Sequence, residues 1–192
     1  MSDIDTMNKT AIIGGTGLTA LQNLEILRRE IVMTPYGEPS SPLAFGSING
    51  SEDKEVVFLS RHGRAHTIPP HMVNYRANLS ALKSVGVTSV IAVNAVGGIR
   101  GDMLPGSLVL PDQIIDYTSR RINTFFESNL SQVTHIDFTY PYSQSLREQI
   151  LAVAHKEEIE LIHSGATYAA TEGPRLETAA EIQRLKRDGC DI

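Results

Sequence analysis

Short apolar runs alternate along this chain with segments whose apolar residues recur every three or four positions. Residues 11–13, 56–59 and 90–93 are rich in aliphatic side chains and are followed by glycine or a polar residue, which is typical of buried strands. Residues 108–110 and 166–170 show the same pattern more weakly. Because the runs are apolar without alternation, we expect a sheet that is covered on both faces.

Segments whose apolar residues have helical spacing lie between these runs. Residues 71–85 place their apolar side chains on one helical face, and Gly86 ends the pattern. A second helix is predicted to begin at Ser143, a suitable N-cap residue, and a third to cover residues 177–188 and end at Gly189. Strands that alternate with helices in this way predict an α/β fold.

The organisation of the chain indicates a single domain. Its 192 residues contain no repeat and no low-complexity linker, so we expect one domain over residues 10–192 after a frayed tail, residues 1–9. Residues 190–192 resemble the entry to another buried strand. We interpret the chain as a fragment of a longer protein, and the alternative is a natural terminus packed as a short tail.

The charge and cysteine content of the chain argue against several classes of binding partner. The 22 acidic residues outnumber the 17 basic ones, giving a net charge of −5, so there is no net positive field to hold nucleic acid or an anionic membrane. The single cysteine, Cys190, has no partner for an internal disulfide, and no Cys/His pattern indicates a metal site. No apolar run is long enough to span a membrane. We therefore expect a cytoplasmic protein without a bound metal.

A glycine-rich loop follows the first predicted strand. Gly14, Gly15 and Gly17 permit a sharp turn that exposes backbone N–H groups to an anion, and the Thr16 hydroxyl adds a further donor. The interpretation is a phosphate site. Two alternatives stay open. One is a dinucleotide site, although residues 34–38, about 20 residues further on, form a turn and not the strand end that carries the ribose-binding acid. The other is a tight turn that needs glycine for geometry alone.

Two arginines and two histidines follow the second predicted strand. Arg61 offers a planar two-pronged donor and His62 an imidazole N–H, so the segment indicates an anion pocket. A solvated loop is the plain alternative. A histidine phosphatase is another, but there the motif follows the first strand and is normally continued by an acidic or amide residue, whereas Arg64 stands here.

Further polar residues stand where other predicted strands end. Asn94 follows residues 90–93 and precedes small residues that let a ligand approach the backbone, although an asparagine that closes a turn explains the pattern equally well. Glu177 lies between a strand and a helix. Its carboxylate either accepts hydrogen bonds from ring N–H groups of a base or simply favours the positive end of the helix.

Together these motifs resemble the purine nucleoside phosphorylase and methylthioadenosine phosphorylase family in order and spacing. They are IIGGTGL at 12–18, RHGRAH at 61–66, VNYRAN at 73–78, NAVGG at 94–98 and EGPR at 172–175. The resemblance covers nearly the whole chain beyond the tail. It implies a mixed central sheet flanked by helices.

The resemblance also implies roles for individual residues. The phosphate-binding positions of the family are matched here by Thr16, Arg61, His62, Asn94 and Ala95. The nucleoside-binding positions are matched by Ala95, Gly97, Glu177 and His135. Glu177 and His62 are the implied catalytic residues. His135 is implied to reach the sugar in an adjacent subunit, and the alternative is an ordinary loop histidine.

The activity that the resemblance implies is phosphorolysis of a purine nucleoside, with inorganic phosphate as co-substrate and no cofactor. A glutamate at 177 is typical of members acting on 6-oxopurines, and S-methyl-5′-thioinosine is the expected substrate; methylthioadenosine, inosine and guanosine are the alternatives. The family is commonly homotrimeric. Its members continue beyond a segment like residues 190–192 with further site residues, so a noncatalytic phosphate-binding remnant is the remaining alternative.

Overall fold

A computed structural model describes residues 9–15, 18, 23–48, 55–127, 130–162 and 165–192. The chain forms two compact units. The first contains residues up to 95 together with 121–125, and the second contains residues 96–120 together with 126–192. Within the described ranges, no helix combines the length and apolar character needed to cross a membrane.

The first unit is built on a mixed five-stranded sheet. Its strands are β1 (Lys9–Gly14), β2 (Leu24–Glu30), β3 (Leu43–Ile48), β4 (Glu55–Ser60) and β5 (Val87–Val93). Their order across the sheet is β2-β3-β4-β1-β5. β1 is parallel to both β4 and β5, whereas β3 is antiparallel to β2 and to β4. The α/β prediction with a mixed central sheet is confirmed.

The apolar run of β4 is buried on both faces of this sheet, as its sequence predicted. Val57 and Leu59 pack on one side with Leu82 of the helix that connects β4 to β5, while Phe58 packs on the other side with Ala44. By contrast, Val93 of β5 is 42% exposed. The reason is that β5 forms an edge of the sheet in the described part of the chain.

Helix α1 (Tyr75–Ser84) connects β4 to β5. It begins later than the predicted residue 71, because Pro70–Met72 form a separate 3₁₀ turn and the side chain of Asn74 caps the helix by accepting the N–H of Ala77. The helix ends before Gly86, whose φ of +84° is readily adopted only by glycine.

The second unit contains two short parallel strand pairs and two helices. β6 (Leu108–Val109) pairs with β8 (Leu161–Ile162), and β7 (Gln113–Asp116) pairs with β9 (Thr167–Ala170). Helix α2 (Gln144–Lys156) begins after the predicted cap Ser143, whose side chain accepts the N–H of Leu146.

Helix α3 (Ala179–Arg187) begins two residues later than its sequence pattern predicted. Thr178 is its N-cap and forms a reciprocal capping box with Glu181, so Glu177 lies just outside the helix. Leu185 of α3 packs with Ala169 and Cys190 in a buried cluster.

Residues 190–192 run beside β9. The N–H of Asp191 donates to the carbonyl of Thr167 at 2.9 Å, and the N–H of Ala169 donates to the carbonyl of Ile192 at 2.7 Å. Ile192 is 8% exposed. The extended, buried character expected of this segment is therefore present.

Candidate active site

The carboxyl ends of three adjacent parallel strands meet in the first unit. β1 lies between β4 and β5. Beyond the strand ends, the N–H of Arg61 donates to the carbonyl of Gly14 at 2.9 Å, and the N–H of Gly15 donates to the carbonyl of Val93 at 3.0 Å. Gly15, the segment that follows β4 and the residue that follows β5 therefore share one edge of the sheet, which is where open α/β sheets bind ligands.

The guanidinium of Arg61 lies across this edge. Nη1 donates a hydrogen bond to Oδ1 of Asn94, and a Cβ atom on Gly15 would stand 2.5 Å from Nη2 of Arg61 and 2.9 Å from the carbonyl oxygen of Val93. Position 15 therefore requires glycine for a close approach between backbone and cation. This arrangement places a positive charge over the backbone of Gly15 at the edge of the sheet.

The imidazole of His62 is buried beside Arg61, with 7% of the residue exposed. Its Nδ1 lies 2.7 Å from the carbonyl oxygen of Ile68, and the N–H of Ile68 donates to the carbonyl of His62 at 3.0 Å. Its Nε2 lies 3.4 Å from both Nε and Nη2 of Arg61. The ring is held from its Nδ1 side and turns its other nitrogen towards the guanidinium.

Burial lowers the pKa of His62 below its usual 6.5. The charge of Arg61 and the neighbouring His66 act in the same direction, and the hydrogen bond to the carbonyl of Ile68 opposes them. The lowered pKa favours the neutral form of the imidazole.

The structure describes two of the three remaining residues that were predicted to bind phosphate. Asn94 and Ala95 are exposed beyond the end of β5. Thr16 falls outside the described residues, so its predicted role stays a prediction. The N–H of Leu18 donates to the carbonyl of Gly15 at 3.1 Å.

A pocket of about 260 Å³ lies within the second unit. Its lining residues are Tyr117, Arg120, Thr171, Glu172, Gly173, Arg175, Glu177, Glu181, Arg184 and Leu185. The pocket lies where β9 leads into α3 and therefore contains the segment that carries Glu177. It is strongly charged, with three arginines and three glutamates.

Two of these three carboxylates are engaged by neighbouring groups. Glu181 binds Arg175 through two N–O contacts of 2.7 and 2.8 Å and accepts the N–H of Thr178 at 2.7 Å. Glu172 accepts the N–H groups of Ser119 and Arg120 at 2.8 and 3.3 Å. These contacts fix the walls of the pocket around its third carboxylate.

Glu177 is that third carboxylate. It is half-buried and accepts no hydrogen bond from the described residues. Arg175, through its pairing with Glu181, has a raised pKa to which the charge of Glu177 also contributes. A partly desolvated carboxylate that lines a pocket without a protein donor is well suited to accept hydrogen bonds from a ligand.

Tyr117 is a pocket residue that sequence reasoning missed. Its hydroxyl donates to Oδ2 of Asp188 at 2.8 Å and lies 3.6 Å from Sγ of Cys190, while the guanidinium of Arg184 lies 5.7 Å from the ring centre. Burial is the main cause of its raised pKa. The residue follows β7 without any local motif, so only the long-range contacts reveal its place.

The other predicted nucleoside residues, Gly97 and His135, are exposed and belong to the second unit. Their roles in nucleoside binding therefore stay predictions. In the described ranges, no three histidine, cysteine or acidic side chains are grouped so as to hold a metal ion.

The chain belongs to the Phosphorylase superfamily, whose family model matches residues 9–192. It is 52% identical to a probable S-methyl-5′-thioinosine phosphorylase of Pseudomonas syringae pv. tomato, in an alignment that covers 97% of this chain and 74% of the relative. It is 43% identical to a 6-oxopurine nucleoside phosphorylase of Pyrococcus furiosus, over 97% of this chain and 69% of that protein.

A comparison with solved structures also matches this chain to a phosphorylase. The methylthioadenosine phosphorylase of Schistosoma mansoni in complex with tubercidin superimposes with a TM-score of 0.89 at 33% sequence identity. The match covers 95% of this chain and 71% of the solved chain. The resemblance of the motifs to nucleoside phosphorylases is therefore confirmed.

Proposed function

We propose that this protein catalyses phosphorolysis of a purine nucleoside, with S-methyl-5′-thioinosine as the preferred substrate. The observation that carries the proposal is the meeting of Arg61, His62 and Asn94 at one edge of three parallel strands, in a chain of this family. The names of the relatives from Pseudomonas syringae and Pyrococcus furiosus support a 6-oxopurine nucleoside.

In the proposed reaction, an oxygen of phosphate forms a bond to C1′ while the bond from C1′ to the purine nitrogen breaks. The electron pair of that bond leaves with the purine, so positive charge develops on the sugar and negative charge on the base. Arg61 holds the anion for attack. Fixed charges of this kind stabilise charge that develops in the transition state.

The proposed choice of base follows from Glu177. A 6-oxopurine carries a ring N–H beside its carbonyl and can donate to a carboxylate, whereas adenine presents a lone pair at that ring position. Glu177 is half-buried and lines the pocket of the second unit. A base without this ring N–H leaves the carboxylate unpaired. Its nucleoside therefore reacts more slowly than a 6-oxopurine nucleoside.

The proposal includes no cofactor, inorganic phosphate as co-substrate, a cytoplasmic location and a homotrimer in which His135 reaches a neighbouring sugar. Exposed apolar residues of the second unit support an interface between copies, since exposed apolar surface marks interaction sites. They are Phe126, Leu130, Val133, Ile136, Phe138 and Tyr140.

Release of hypoxanthine from S-methyl-5′-thioinosine tests the proposal. The purified chain is assayed with phosphate, with arsenate and with neither, and then with methylthioadenosine, inosine and guanosine under the same conditions. We expect turnover that requires phosphate or arsenate and is fastest with S-methyl-5′-thioinosine. Anion binding without turnover would contradict the proposal in favour of a noncatalytic phosphate-binding chain.

A further inference from the structure

We propose that Ser41 is a positioning residue for the anion site, because its buried hydroxyl fixes the point at which the chain leaves β4 and enters Arg61. This inference rests on the proposed function, since that function places phosphate on the guanidinium of Arg61. The role of Ser41 is exerted through the backbone of Ser60 and requires no contact with a substrate.

The backbone at the end of β4 is held from two sides. The N–H of Arg61 donates to the carbonyl of Gly14, at the end of β1, at 2.9 Å. The preceding N–H, that of Ser60, donates to Oγ of Ser41 at 3.2 Å. In the described part of the chain β3 pairs with β4 only as far as Phe58. A side chain that lies just before β3 therefore takes the place of a strand partner at Ser60.

The hydrogen bond between the two serines is buried. Ser41 and Ser60 are each 6% exposed. A buried N–H that loses its hydroxyl acceptor has no water to replace it, so the local backbone shifts to reach another acceptor. A shift at Ser60 moves the Cα atom of the next residue, Arg61, and the guanidinium at the end of that side chain moves with it.

Helix α1 holds Ser41 in place through the residue before it. Asn78 is 3% exposed, and its Oδ1 accepts the N–H of Ser40 at 2.7 Å while its Nδ2 donates to Oγ of Ser40 at 3.0 Å. At the N-cap of the helix, Nδ2 of Asn74 donates to the carbonyl of Tyr36 at 2.7 Å. Both asparagines belong to the VNYRAN motif, and their spacing of four places them side by side. The motif therefore ties the segment before β3 to the helix.

The same segment borders the turn that carries Arg61 and His62. The N–H of Gly63 donates to the carbonyl of Ser60 at 3.1 Å, which closes the turn. A Cβ atom on Gly63 would stand 3.5 Å from the carbonyl oxygen of Ser40. The segment before β3 thus lies close to both ends of the turn. A cation whose backbone is held in this way loses less freedom when it binds an anion.

Alanine variants of two buried serines test this inference on the full chain. Ser41→Ala removes the hydroxyl that accepts the N–H of Ser60. Ser47→Ala is the matched control, because Ser47 is 7% exposed and lies in β3 opposite Glu55, at the other end of β4. We expect Ser41→Ala to raise the phosphate KM by about 2- to 10-fold, the effect of one hydrogen bond, with little change in the nucleoside KM. Ser47→Ala should change neither KM.

A second comparison separates positioning from a loss of stability. A merely structural role lowers the stability to urea and changes both KM values alike. When Ser41→Ala is added to Arg61→Ala, kcat/KM for phosphate should fall by at most about twofold more, since Ser41 acts through Arg61. An equal rise of both KM values in Ser41→Ala, or fully additive losses in the double variant, would overturn the inference.

Ser41→Cys keeps the test decisive if Ser41→Ala does not fold. The thiol has nearly the shape of the hydroxyl but is a weaker acceptor. We expect a smaller rise in the phosphate KM in the same direction, again without a change in the nucleoside KM. A phosphate KM equal to that of the wild type in Ser41→Cys would then count against the role of Ser41.

The outcome separates this inference from the proposed function. Turnover that requires phosphate, with the same phosphate KM in the wild type and in Ser41→Ala, overturns the positioning role alone. Without turnover, calorimetric titration with phosphate compares the wild type with Ser41→Ala and Ser47→Ala. Weaker binding in Ser41→Ala alone then supports the positioning role although the proposed reaction fails. Equal binding in all three proteins, or binding in none, overturns it.

Discussion

The guanidinium of Arg61 hydrogen-bonds Oδ1 of Asn94, although the two residues follow strands that lie on opposite sides of β1. The cation therefore extends across the end of β1 and over the backbone at Gly15. A side chain held from two directions loses less conformational freedom when it binds an anion. This hydrogen bond couples the contributions of Arg61 and Asn94, and a double-mutant cycle measures the coupling.

Replacement of Arg61 by alanine is expected to weaken phosphate use. Hydrogen bonds to charged groups contribute about 1.5–3 kcal/mol, so kcat/KM for phosphate falls by about 10- to 150-fold. The fold is retained because the contact between Arg61 and Gly14 uses the backbone N–H. Arg64→Ala removes an exposed arginine of the same loop and is the control. Equal phosphate kinetics in both variants would contradict the role of Arg61.

Replacement of Asn94 by alanine is expected to act through Arg61. We predict a reduction in kcat/KM for phosphate that is smaller than that of Arg61→Ala, and at most about twofold further loss when Asn94→Ala is added to Arg61→Ala. Residues that share one hydrogen bond show such non-additivity. Fully additive losses in the double-mutant cycle would instead mean that Asn94 contacts phosphate independently.

Strand positions were predictable where the chain is apolar without interruption. β1, β4 and β5 contain the predicted runs, but β2 and β3 were missed. Much of β2 is exposed and carries charged residues at its end, while Gly46 and Ser47 interrupt the apolar run of β3. Tertiary pairing overrides local preference in such segments.

The site was predictable where topology alone brings residues together. Adjacent parallel strands place their following residues at one edge, so the sequence predicted that Gly15, Arg61 and Asn94 lie together. The contact of His62 with Ile68 was not predicted, because it depends on the geometry of the turn between the two residues. Tyr117 was not found either, since its partners are distant in sequence.

Glu177→Ser is expected to change the preference between bases. The carboxylate that accepts a ring N–H is lost, so kcat/KM for S-methyl-5′-thioinosine falls by about 10- to 150-fold. Methylthioadenosine gains relative to it, because serine both donates and accepts. A competition assay with the two nucleosides measures the ratio directly.

The control for this change is a glutamate away from the pocket. Glu160 is exposed, and Glu160→Ser should leave the ratio of the two nucleosides at its wild-type value. Phosphate KM should also stay close to wild type in Glu177→Ser, since the change concerns the base. An unaltered nucleoside ratio in Glu177→Ser would remove Glu177 from base recognition.

Glu181→Gln is expected to remove a pH-dependent part of the stability. Its hydrogen bonds with Arg175 and with the N–H of Thr178 lower the pKa of Glu181 from the usual 4.5 to about 2. A lowered carboxyl pKa stabilises the fold fully above pH 4.5, and this contribution is lost as the pH falls towards about 2. Urea unfolding of both proteins at neutral pH and at two values within that window measures the difference in free energy of unfolding, which should shrink as the solution becomes more acidic. Glu160→Gln should show no such trend, and a difference for Glu181→Gln that is independent of pH would mean that the ion pair with Arg175 contributes nothing to stability.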